Sequence, residues 1–128
     1  MNGTLLEQKG YVQTPEARLD FEINDLGRSV VVARVRGQAS CEHAADLNEQ
    51  LQLSMKPGTQ FIILDLAELH HVGPESLQTL AEFARKVRQQ GGEVWLAGLQ
   101  PVVWLVLHDA RLERLFTIRT SLAQALSS

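Results

Sequence analysis

The chain has 128 residues, 45% of them hydrophobic and 21% charged, and a formal net charge of −3. That length fits one domain with a real core, and a mildly acidic chain with scattered arginines speaks against nucleic acid as a partner. No apolar run approaches the ~18 residues of a membrane span, the N-terminus lacks the basic and apolar regions of a secretory signal, and Cys41, the sole cysteine, suits a reducing cytoplasm.

Residues 1–16 show no clear periodicity and end at Thr14-Pro15-Glu16. They are expected to form an N-terminal extension, with residues 17–128 as the domain proper. Leu19, Phe21 and Ile23 alternate with Asp20, Glu22 and Asn24, the period of a half-buried strand. Asp25-Leu26-Gly27-Arg28 is turn chemistry, and the β-branched run Ser29 to Val35 completes an antiparallel hairpin. Ser40 is a plausible N-cap, although His43 stands where a capping-box Glu would sit, so the box reads as incomplete. Ala44, Leu47, Leu51 and Met55 keep helical spacing up to the stop signal Lys56-Pro57-Gly58.

Phe61 to Leu66 is apolar except for Asp65, as expected of a central strand covered on both faces. A second helix is predicted from Pro74 to Gln90, with an apolar stripe of Leu77, Leu80, Ala81, Ala84 and Val87 and the break Gly91-Gly92 after it. Val94 to Ala97 reads as another buried strand. Pro101 opens a third helix, Phe116 to Ile118 suggests a last short strand, and Ser121 to Leu126 a terminal helix. Strands alternating with helices after a hairpin predict an α/β domain with a mixed, mainly parallel sheet of four to five strands and about four helices.

Few residues suggest chemistry. His70 and His71, with His43, Cys41 and Glu42, lack the spacing of a zinc site, and adjacent strand residues point to opposite faces. They are better read as turn histidines. Asp65 has no visible catalytic partner and is expected to cap a loop through backbone N–H groups. No P-loop, GxGxxG or GxSxG sequence occurs, so neither a nucleotide cradle nor a nucleophile elbow is predicted, and no cofactor or metal is expected.

The order of elements, taken with particular residues, resembles the STAS domain, the fold of bacterial anti-sigma factor antagonists. The resemblance covers Leu19 to Leu126. It rests on Val35-Arg36-Gly37, Leu64-Asp65-Leu66, the helix Leu77 to Arg88, Gly91-Gly92, Val94 to Gly98, and the ending Leu115-Phe116 with Ser121 to Leu126. It implies a cytoplasmic, non-enzymatic regulator that binds a serine kinase acting as an anti-sigma factor. In that family the kinase phosphorylates a serine in an Asp-Ser-Ser-Gly-like segment at the start of the second helix. Here those positions are Gly73, Pro74, Glu75 and Ser76, so the framework matches and the switch residues do not.

Proline suits the first helical position, since its missing N–H would be unpaired there, but it cannot accept a phosphoryl group. Glu75 falls in the first turn, where the helix dipole favours a negative charge by ~0.3–1 kcal/mol. It either serves as capping or supplies a fixed charge near the place a phosphate would occupy. Ser76 is the nearest remaining hydroxyl for phosphorylation. The expected partner-binding surface is therefore His70, His71, Gly73, Pro74, Glu75 and Ser76.

The third helix stands apart, because Val102 to Leu107 are apolar all round and need cover on more than one face. Related domains usually carry polar residues at the positions matching 102, 104 and 105. Val102, Trp104 and Leu105 thus form a candidate interface for a partner or a second copy in a homodimer, unless Leu5, Leu6, Tyr11 and Val12 fold back over them. An apolar third helix also fits a structural STAS subunit of an ABC lipid-transport or stress-sensing complex.

Overall fold

The computed structural model describes residues 19–27 and 29–127. The expected extension 1–16 and the boundary at residue 17 lie outside them. Strand β1 (Leu19–Gly27) and β2 (Val30–Ala39) form the predicted hairpin. A single 3-10 turn (Cys41–His43) leads into α1 (Ala44–Ser54), followed by β3 (Phe61–Asp65) and β4 (Leu69–Val72). Then come α2 (Pro74–Gln89), β5 (Glu93–Ala97), α3 (Pro101–Asp109), β6 (Thr117–Arg119) and α4 (Leu122–Leu126).

Among the described residues the strands form one six-stranded sheet ordered β1-β2-β3-β5-β6, with β4 paired to β2 beyond the end of β3. Of these described pairings β1–β2 alone is antiparallel; the others are parallel. The mixed, mainly parallel α/β sheet with four helices is thus as expected, with β4 as an additional strand.

Alternation along the strands divides two cores of unequal size. On one face Val35, Ile62, Leu64, Val94 and Leu96 meet Leu47 and Leu51 of α1, Leu80, Phe83 and Val87 of α2, and Val103 and Leu107 of α3. Each fully buried side chain of this kind contributes about 1.5–3 kcal/mol, so the three helices hold the domain mainly from this side. The other face carries Val32, Ile63 and Ala97 under Ala125 of the short α4.

Gly92 shows how tightly α2 is returned to the sheet. A Cβ there would lie 2.7 Å from the Gln60 carbonyl oxygen, so a side chain is excluded where the chain leaves α2 for β5.

Strand β4 was not foreseen because its burial does not alternate: Leu69 and Val72 are buried while His70 and His71 are both exposed. The register explains this. Gly37 faces Leu69 but Gln38 faces His71, leaving His70 as an extra residue. Such a bulge breaks the period of two and lets residues three apart both reach the core. The two histidines are therefore both exposed, and they lie in a strand rather than a turn.

Candidate functional site: the paired helix starts

The predicted surface lies where β4 delivers the chain into α2. Gly73 is the N-cap, with extended backbone (φ −80°, ψ 168°), and Pro74 is the first helical residue, as its fixed φ and missing N–H favour. Gly73 is buried, and its N–H donates to the Ala39 carbonyl at 2.8 Å. A Cβ on Gly73 would sit 3.3 Å from the Cys41 backbone nitrogen, so the absence of a side chain lets the two segments close on each other.

Ser76 completes this junction from inside. It is fully buried, and its hydroxyl donates to the Ser40 carbonyl at 2.9 Å, joining the start of α2 to the residue that precedes the 3-10 turn. Named above as the hydroxyl nearest to the switch position and as part of the contact surface, Ser76 instead faces inward and is occupied as a donor. Gly73 is likewise within the fold. The exposed members of the expected set are His70, His71, Pro74 and Glu75.

The neighbouring helix start completes the surface. The Ser40 N–H donates to His43 Nδ1 at 3.3 Å, so the imidazole takes up the N-cap N–H that a capping-box glutamate would bind. The box expected to be incomplete is served by an unexpected acceptor. Cys41 and Glu42 are exposed beside Pro74 and Glu75.

Asp65 caps the loop after β3 as its sequence position suggested, its Oδ1 accepting from the Ala67 N–H at 3.2 Å. Its other oxygen accepts from Arg34 Nε at 3.2 Å, and Arg34 also reaches Glu22 at 3.4 Å. That pairing places the mostly buried carboxylate in a structural role. Sequence reasoning missed Arg34, since only the β2–β3 register, which sets Arg34 opposite Asp65, brings the two together.

On α3, Val102, Trp104 and Leu105 are 49%, 38% and 56% exposed. Trp104 stacks on His108 with ring centroids 5.5 Å apart and borders a shallow cleft with Leu99, Ile118 and Gln124. The residues considered as cover, Leu5, Leu6, Tyr11 and Val12, lie outside the described residues. Among the described residues no group of three or more His, Cys, Asp or Glu is placed to hold a metal, and no helix is long and apolar enough to cross a membrane.

Comparison with known proteins now bears on this geometry. A family model of the STAS domain matches residues 23–125. The chain belongs to the STAS domain family. This STAS domain is 25% identical over 92 residues to BtrV of Bordetella bronchiseptica, a candidate anti-sigma factor antagonist, covering 72% of this chain and 79% of the relative. The crystal structure of an anti-sigma factor antagonist from Mycobacterium paratuberculosis is similar with a TM-score of 0.77 at 20% identity, over 91% of this chain and 97% of that one. The STAS domain of a SulP transporter from Vibrio cholerae is similar with a TM-score of 0.65 at 21% identity, over 80% and 82% of the two chains. These two likenesses establish the fold, and they show that the fold serves both in anti-sigma factor antagonists and in a transporter.

Proposed function

We propose that this STAS domain is a non-enzymatic protein-interaction module that binds a serine kinase of the anti-sigma factor type, or a related regulator, in the cytoplasm. The contact is made through the exposed end of β4 and the start of α2. One observation carries the reading: at the junction of β4 and α2 the outward side chains are His70, His71, Pro74 and Glu75, while the nearby Ser76 hydroxyl is buried and bonded to Ser40. The surface suits constant recognition and offers a kinase no exposed hydroxyl in the first turn of α2. The 25% identity to BtrV supports the same direction.

Affinity capture with wild-type and Glu75→Arg baits, followed by mass spectrometry, tests this. A serine kinase of the anti-sigma type should be enriched by the wild type and lost with the variant. Incubating the captured kinase with ATP and the wild-type chain should leave the intact mass unchanged. A phosphate on Ser76 would mean that the helix start opens and that a switch persists.

A second reading, a structural STAS subunit of an ABC lipid-transport or stress-sensing complex, is favoured by the exposed apolar face of α3. Recovery of a transporter ATPase that is insensitive to Glu75→Arg and lost with Leu105→Ser would select it.

A further inference from the structure

The outer face of α3 is apolar and, among the described residues, exposed, yet small. At their exposures Val102, Trp104 and Leu105 present roughly 300 Å², against the ~800 Å² per partner that a stable interface buries. Trp104 leans toward β6 and α4, where it borders the cleft with Ile118 and Gln124. Val102, about 200° round the helix from Trp104, lies on the opposite flank of the helix. An interface anchored on α3 must therefore extend along one of these flanks to reach adequate size.

The strand that α3 packs against, β4, runs directly into the start of α2. Helix α3 packs beside β4, and the Gln100 side-chain amide at its N-cap donates to the Ala67 carbonyl in the loop before β4. Along this path Glu68, His70, His71, Pro74 and Glu75 are exposed. The junction of Gly73 with Cys41 and of Ser76 with Ser40 brings in the 3-10 turn and α1, where Glu42 and Asp46 are exposed. Among the described residues its exposed carboxylates, Glu68, Glu75, Glu42 and Asp46, predominate, with Arg36 at the edge where the next residue, Gly37, bonds the Glu68 carbonyl. Between Gly37 and Ala84 the only lysine or arginine is Lys56, which lies against Asp25 at the opposite end of the sheet, 3.7 Å from its carboxylate. Helix α3 itself carries neither.

Size and charge together select the occupant. Two copies joined through α3 alone would bury too little. Two copies joined through the larger surface would set Glu68, Glu75 and Glu42 against their own kind, which like-charge repulsion opposes. We infer that α3 and the adjoining acidic rim together dock a protein surface with an apolar anchor bordered by lysine or arginine. Val102 and Leu105 receive the anchor, while Glu42, Glu68 and Glu75 face the cations. This inference rests on the protein-binding reading of the α2 start and assigns the partner's chemistry.

The uniformly ¹⁵N-labelled chain, titrated with a synthetic leucine–arginine amphipathic peptide and with its leucine–glutamate counterpart, provides the test. The cationic peptide should shift the amides of residues 102–105, 70–71 and 75 together, and the anionic one should leave them in place. The pair Val102→Ser/Leu105→Ser, and separately Glu75→Lys, should each weaken the cationic peptide about tenfold. An equal response to both peptides, or shifts elsewhere on the domain, overturns the inference. Shifts confined to 70–75 and unaffected by the α3 pair overturn it while leaving the proposed function standing. Failure of the wild-type bait to capture a kinase, with peptide binding intact, would instead remove the functional reading. A concentration-dependent dimer in sedimentation that Leu105→Ser abolishes would overturn the inference in favour of a second copy.

Discussion

Helix α2 begins with Gly73-Pro74 and α3 with Gln100-Pro101, each with an extended N-cap residue and no side chain capping the first turn. Beyond that shared entry they diverge. Helix α2 is amphipathic: Ser76, Leu80, Phe83 and Val87 face the core while Glu75, Gln78, Glu82 and Arg85 face out. Helix α3 buries only Val103 and Leu107 fully and leaves Val102, Trp104 and Leu105 in the open. A proline can start either helix. What the helix is for depends on whether its outer residues need cover. In α2 the apolar side chains are consumed by folding, whereas in α3 several remain available for something else.

Mutations on the two helices should separate those roles. Leu80→Ala in α2 should cost about 2–5 kcal/mol by cavity formation, read as a lowered denaturant midpoint. Ser76→Ala should cost about 1 kcal/mol, since it removes one hydrogen bond and leaves the Ser40 carbonyl without that donor; a stability change below the resolution of the measurement would show that the two helix starts are not joined by it. Leu105→Ser on α3 should shift stability by less than about 0.5 kcal/mol, as for other exposed positions. A loss as large as that of Leu80→Ala would mean that Leu105 is already buried in the isolated chain, and the contrast between the helices would fail.

The strands and helices with unbroken periodicity were legible in the sequence. The run Phe61 to Leu66, the stripe of α2 and the proline at its first position gave the scaffold of the candidate surface directly. Strand β4 was not legible, because the extra residue His70 disrupts the alternation that identifies a strand. The Arg34–Asp65 pair was hidden for a different reason: its members are 31 positions apart, and only strand register makes them neighbours. Ser76 is an intermediate case. Its spacing of four from Leu80 and seven from Phe83 already placed it on the inward side, yet a hydroxyl close to a helix start invites a surface reading. The exposure of α3 could not be read from composition at all, since an apolar helix is as compatible with full burial as with a free face.

The absent side chain at Gly73 has a consequence for recognition. Because the 3-10 turn can come against it, the backbone hydrogen bond to Ala39 and the Ser76–Ser40 contact fasten two chain segments that would otherwise be independent loops. At the proposed surface an incoming protein would meet Cys41, Glu42, Pro74 and Glu75 already held in fixed relation. Little conformational entropy is left to lose on association, so the favourable contacts are not spent on ordering the surface. Fastening that junction during folding would make binding there a matter of fit between preformed surfaces.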